Sequence, residues 1–216
     1  MIVSHKYKCV FIHIPKNGGT FVSNFIKKID PLCEDFYSGS TGHQTISMII
    51  DTYDNFISIK DYSFFAVIRN PIEKILSSFN YYWYKYFKFT TFLKQLDFCN
   101  EQNLHVTNIP FVSIDGEFNV NIKLIDFDNL SKELISFFVC SSVSDADLLN
   151  VINNVNLEKV NTTQSRIVTS LKANDNEIIG KYPFMNRELD FWHKFREFKL
   201  NNFLFPTPKD IIKNDN

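Results

Sequence analysis

Residues 9–28 read "CVFIHIPKNGGTFVSNFIKK", and the change of character along this stretch decides how the chain folds. Tyr7 to Ile14 is short, apolar, β-branched and aromatic, and it stops at Pro15; that pattern predicts a buried strand. Thr20 to Ile29 places Phe21, Phe25, Ile26 and Ile29 on one face of a helix, which Asp30-Pro31 ends. Between strand and helix lie Pro15, Lys16, Asn17, Gly18, Gly19 and Thr20. A chain with only six glycines therefore sets two of them side by side in a single turn.

A strand that runs through a glycine turn into a helix is a standard way to hold a phosphate. The helix N-terminus leaves unpaired N–H groups pointing outward, and its dipole favours negative charge. Glycines let the backbone approach an anion and take up positive φ. Lys16 adds a cation there and Thr20 a hydroxyl. The competing reading is a tight strand-to-helix turn with polar residues facing solvent. The nucleotide-hydrolase loop, Gly-x4-Gly-Lys-Ser/Thr, is a poor match, because the lysine here precedes the glycines.

A second junction of the same kind follows. Phe64 to Ile68 reads as a short apolar strand that ends in Arg69-Asn70-Pro71. Asn70 can cap a helix, Pro71 suits its first position, and Glu73 stands three residues after the cap. Ile72, Ile75, Leu76, Phe79 and Trp83 then fill one face. Elsewhere helices are expected over His43–Tyr53, Thr90–Leu96 and Ser131–Val139, and a strand over Ile122–Ile125. Residues 111–120 alternate around Asp115-Gly116 and predict a hairpin. The remainder reads as mostly helical, with Trp192, Phe195 and Phe198 packing inward. Alternating strands and helices with no long linker predict one α/β domain over residues 1–205, with a central parallel sheet flanked by helices. A polar tail is expected over 206–216.

At 216 residues, 44% of them hydrophobic, the chain can bury a substantial core. A net charge of −1 argues against a general nucleic-acid binder, although a small anion needs only two or three placed cations. Cys9, Cys33, Cys99 and Cys140 are scattered without a metal-ligand pattern. Cys9 and Cys140 read as buried free thiols, which suits a reducing, cytoplasmic setting. The first apolar run is too short to span a membrane, and no targeting segment is visible.

"HIPKNGGT", residues 13–20, resembles the 5′-phosphosulfate-binding signature of the sulfotransferases, above all the carbohydrate sulfotransferase branch. "FAVIRNPIEKILSSF", residues 65–79, resembles the family's second element, Arg-Asp/Asn-Pro-x-x-Arg-x-x-Ser, with Lys74 where arginine is common. The resemblance implies a P-loop-containing, nucleotide-binding-like three-layer fold. It also implies 3′-phosphoadenosine 5′-phosphosulfate (PAPS) as co-substrate, without metal, and an acceptor hydroxyl, most simply on a sugar. Pro15 to Thr20 would hold the 5′-phosphosulfate, and Arg69 and Ser77 the 3′-phosphate. Lys16 would stabilise the leaving oxygen, and His43, in "TGHQT", would serve as base, with His105 in reserve. His13 fits a packing role. Asp128, in "LIDFDNL", falls at a family glutamate position, and Arg166, in "NTTQSR", lies where relatives carry a loop over the nucleotide. Two other readings stay open: a small P-loop kinase using ATP and Mg²⁺, with Asp126 as a metal ligand, and a non-catalytic nucleotide-binding protein.

Overall fold

A computed structural model describes residues 1–36, 43–52, 56–94, 106–114, 117, 121–141, 148, 171, 173–201 and 205–212. Its centre is a five-stranded mixed sheet of order β3-β1-β2-β4-β5. The strands are β1 (Ile2–Ser4), β2 (Cys9–Ile12), β3 (Glu34–Asp35), β4 (Ser63–Ile68) and β5 (Ile122–Asp126). β2, β4 and β5 are mutually parallel, as expected. The expectation of a wholly parallel sheet is corrected at one edge, where β1 pairs antiparallel with both β2 and β3. The residues read as the start of the first strand, Tyr7 and Lys8, instead form the turn between β1 and β2, with Lys8 at φ 46°.

The parallel strands are mostly apolar because both of their faces are covered, with Ser63, Lys123 and Asp126 as the polar positions. Val10, Ile12, Phe64, Ala66, Ile68, Ile122 and Leu124 face one helical layer. That layer includes α2 (Ile46–Thr52), α6 (Ile109–Val112) and α9 (Pro183–Asn201). Cys9, Phe11, Phe65, Val67 and Ile125 face the other, made by α1 (Gly19–Ile29) and α7 (Leu130–Ser141). A third apolar cluster joins α4 (Pro71–Ser78), α5 (Phe89–Lys94), α8 (Ala173–Ile179) and the start of α9. A short helix, α3 (Phe56–Ile59), precedes β4.

Several expected boundaries hold within a residue or two, and Asn70 caps α4 by accepting from Ile72 N at 2.9 Å and Glu73 N at 3.4 Å. Other expectations are corrected in whole or in part. α2 starts at Ile46, with Thr45 in the preceding turn, so His43 lies in the loop before the helix. The expected hairpin is met only beside its turn: Ile114 and Glu117, on either side of Asp115-Gly116 in the chain, pair antiparallel with N–H to carbonyl bonds of 2.9 and 2.8 Å, whereas Phe111 and Val112 belong to helix α6, whose start Pro110 suits. The tail is not free in the structure over its first residues. Leu124 N donates to Pro206 O at 2.8 Å, Pro208–Ile212 forms helix α10, and Ile211 is buried in the core. Pro206 thereby covers part of the β5 edge. Cys9 is buried as expected, but Cys140 is exposed, and Cys99 lies outside the described residues.

Phe65 is the ring on which the α1/α7 side of the core converges. It is fully buried, with Phe11, Phe137 and Phe138 at 5.2, 4.5 and 6.0 Å between ring centroids. Phe65→Ala is expected to cost roughly 3–5 kcal/mol, read from the urea unfolding midpoint. Leu32→Ala, at a residue 90% exposed, should leave the midpoint within about 0.5 kcal/mol.

Candidate functional site

Parallel pairing of β2 with β4 brings the two sequence motifs together at one end of the sheet. The loop after β2 and the turn after β4 are joined by two hydrogen bonds. Arg69 Nη1 donates to Lys16 O at 2.9 Å, and Asn17 Nδ2 donates to Val67 O at 2.6 Å.

The loop itself is a backbone device. Lys16 and Gly18 both have positive φ, 64° and 79°, and Gly18 stands at the N-cap of α1 without any side-chain cap. The first-turn N–H groups of α1 therefore have no intrahelical acceptor. Each glycine also has a packing reason to be there. A Cβ on Gly18 would lie 2.8 Å from Leu130 Cδ2, and a Cβ on Gly19 would lie 1.8 Å from His13 Nε2. Pro15 is buried and Thr20 is exposed beside the open turn.

The loop lysine carries the charge. Lys16 is half-buried, and among the described residues its ammonium forms no ion pair; it sits over the Tyr81 ring, 3.6 Å from the centroid, and 5.7 Å from that of Tyr82. Burial, and then the neighbouring Arg69 guanidinium, lower its pKa to about 8, so it stays mostly charged at neutral pH. Arg69 stacks over Phe127 at 4.3 Å and bonds Glu73 Oε2 through Nε and Nη2, both at 3.3 Å. Arg69 thus doubles as the tie between the two loops. Ser77 is half-buried near the end of α4.

Asn17 does not turn its side chain outward. It is 1% exposed, and its Nδ2 is shared between Val67 O and Asn108 Oδ1, the latter at 2.8 Å. Its backbone N–H donates to Ile14 O at 3.4 Å, and among the described residues its buried Oδ1 makes no hydrogen bond. Asn108 Nδ2 in turn donates to Arg69 O at 3.2 Å and to Glu188 Oε2 at 3.1 Å. Glu188 Oε1 accepts from the backbone N–H groups of Asn108 and Ile109, both at 2.8 Å. Lys74, fully buried, donates to Thr107 O. Burial pushes the Lys74 pKa down and that of Glu188 up. Lys74 is thus a core residue and not a phosphate ligand.

The histidines divide as the sequence suggested for His13. Its ring is buried and pressed against Gly19, and burial, then His43, lowers its pKa to about 3. His43 packs edge-on against it at 4.8 Å, and His43 Nδ1 lies 3.3 Å from His13 O. A carbonyl only accepts, so Nδ1 carries the proton, and in a neutral His43 the Nε2 is the unprotonated nitrogen.

Asp126 accepts from Asp128 N and Asn129 Nδ2 and is ion-paired to Arg196, which also reaches Asp128 at 3.4 Å. Those contacts hold a turn together and leave Asp126 poorly placed as a metal ligand. Among the described residues, no group of three or more His, Cys, Asp or Glu side chains is arranged to hold a metal. Arg166 and His105 lie outside the described residues. The sequence reading missed Tyr81, Tyr82, Asn108 and Glu188; their partners are 39 to 91 residues away in the chain, so no local pattern marks them.

In comparisons with family models, curated proteins and solved structures, none matched this chain.

Because His13 is held neutral, it must take up a proton to reach its unfolded state at acid pH. Its folded pKa lies below the unfolded value near 6.5, so its contribution is present above about pH 6.5 and is lost as pH falls toward 3. Unfolding free energy is expected to drop between pH 6.5 and 5.5, measured by urea titration at each pH. His13→Phe, which cannot bind a proton, should flatten that slope.

Proposed function

We propose that this chain is a sulfotransferase that moves a sulfuryl group from PAPS to an acceptor hydroxyl on a carbohydrate. The reading includes a P-loop-containing, nucleotide-binding-like fold and a cytoplasmic setting. One observation carries it. The turn resembling the 5′-phosphosulfate signature and the one resembling the 3′-phosphate signature lie side by side at the ends of neighbouring parallel strands, bonded to each other through Arg69 and Lys16 O. Two cradles on different faces of the molecule could not have served one nucleotide.

What each part does follows from its chemistry. The uncapped first turn of α1 and the positive-φ loop offer N–H groups to the 5′ end, and Thr20 adds a hydroxyl. Arg69 and Ser77 are the donors for the 3′-phosphate, with Arg69 exchanging its exposed Glu73 partner for the anion. In the transfer, the acceptor oxygen forms a bond to sulfur while the bond from sulfur to the 5′-phosphate oxygen breaks. The electron pair of the broken bond stays on that phosphate oxygen, giving adenosine 3′,5′-bisphosphate. Lys16 supplies positive charge there, and the acceptor's proton passes to Nε2 of His43.

Adenosine 3′,5′-bisphosphate is expected to raise the melting temperature, whereas ATP with Mg²⁺ should not. At 100-fold its dissociation constant, the bisphosphate should add about 2.7 kcal/mol. A chain protected only by ATP with Mg²⁺ would instead be a kinase. Lys16→Ala should lower transfer from labelled PAPS to a sugar panel by about 10²–10³, and His43→Ala by about 10²–10⁴. Because Lys16 loses its proton above about pH 8, bisphosphate affinity in calorimetry should weaken as pH rises past that value.

A further inference from the structure

Lys16 is an unusual cation for its surroundings. It leaves the loop from a left-handed backbone, is half-buried, and lies near a second cation, Arg69. The nearby carboxylate, Glu73, is engaged by Arg69. Where a carboxylate would ordinarily stand, Lys16 meets the face of Tyr81 at 3.6 Å, with Tyr82 at 5.7 Å.

The difference matters for an anion site. A carboxylate on Lys16 would neutralise it and compete with any incoming phosphate. An aromatic face attracts the ammonium through its quadrupole but leaves the charge in place. Held this way, the lysine also gives up rotamer freedom before ligand arrives and not at the moment of binding.

The chain builds this contact deliberately. After α4 the helix widens into a π turn, Phe79–Trp83, closed by Tyr84 N donating to Phe79 O at 3.0 Å. Turns of this kind are frequent at functional sites. Here the turn lets two consecutive tyrosines flank one ammonium. Tyr81 is 60% exposed, yet it is not loose. It packs edge-on to Tyr82 at 4.7 Å, Tyr82 meets Trp83 at 5.3 Å, and Trp83 stacks on Phe92 at 4.9 Å. Phe92 belongs to the third apolar cluster. The same α4 follows Arg69 at its start and carries Ser77 near its end, so one helix links the second cradle to the rings that meet the lysine of the first.

We infer that Tyr81, backed by Tyr82, is a positioning residue for Lys16: it holds the ammonium charged and pre-ordered at the mouth of the loop for the anion that binds there. This rests on the sulfotransferase reading, and it adds a residue that the sequence motifs do not contain.

Tyr81→Phe keeps the ring face, whereas Tyr81→Leu keeps apolar bulk and removes it. In calorimetry with adenosine 3′,5′-bisphosphate, Tyr81→Phe should bind within about twofold of the parent, and Tyr81→Leu about three- to tenfold more weakly, with both unfolding midpoints unchanged. A second measurement needs no ligand. With lysines carrying ¹³C-methyl labels, the Lys16 signal, assigned by its loss in Lys16→Arg, should be displaced by the ring in the parent and in Tyr81→Phe. In Tyr81→Leu it should return to the position of a solvated lysine. Tyr81→Leu binding as tightly as the parent, or more tightly, would overturn the inference, as would a Lys16 signal that Tyr81→Leu does not move. If the parent itself fails to bind the bisphosphate, the sulfotransferase reading falls, and the lysine signal alone then decides whether Tyr81 holds Lys16.

Discussion

The pairing of β2 with β4, with Ile12 opposite Ala66, is the contact on which the site depends. Parallel strands end on the same edge of a sheet, so the loops that follow them emerge together. Neither loop could keep its shape alone. The first has two positive-φ residues and no side-chain cap, and it is held by Asn17 reaching across to Val67 O. The second returns the bond, with Arg69 on Lys16 O. Bonds of this kind matter most where water is excluded, because a buried polar group left unpaired costs more than a made bond gains.

Behind the loops, the polarity of a buried chain of amides is set from the far end. Glu188 only accepts while it is ionised, so the Asn108 amide turns its Nδ2 toward it and its Oδ1 toward Asn17. That orientation in turn commits Asn17 Nδ2 to the loop-to-strand bond. A residue in α9 therefore settles the side-chain direction of one in the phosphate-type loop, through Asn108 and without touching it. Lys74 supplies the balancing charge nearby while bonding Thr107 O. A lysine suits that role where the resemblance led one to expect arginine, since the position has one carbonyl to reach and no anion to fork around.

What could be read from the sequence was what is local. The strand-to-helix junctions were legible because proline, a cap residue and helical periodicity all act within a few positions, and α4 realises each of them at Asn70, Pro71 and Glu73. The Asp115-Gly116 signal held where it is local, since Ile114 and Glu117 on either side of it pair antiparallel, but it did not extend a strand back to Phe111 and Val112, which pack into the sheet-facing cluster as a helical turn. The segment after Pro206 looked polar because Ile211 stands in a mostly polar run, yet buried Ile211, Pro206 and Pro208 and the Leu124 N bond to Pro206 O dock it. Glu188 reads as an ordinary exposed glutamate in a charged helix; its bonds to Asn108 and Ile109 exist only in three dimensions. The Gly18-Gly19 pair shows both sides of this. Its backbone freedom could be foreseen, but the pressure of His13 on Gly19 could not.

That last point shifts where the functional argument rests. Once Leu130, Phe127 and His13 each demand a glycine, the pair would be required in a purely structural turn as well, and it ceases to discriminate. The discriminating features are those that the fold has no need of. They are the half-buried ammonium on a tyrosine in place of a carboxylate and the open first turn of α1 beside exposed Thr20. Partial burial beside Arg69 works against the charge on Lys16, as its lowered pKa records. An anion brought into the loop would reverse that penalty, because opposite charge stabilises the protonated lysine where Arg69 opposes it. That cost, together with the seat of the ammonium on Tyr81, supports the proposal more than the glycine motif does alone.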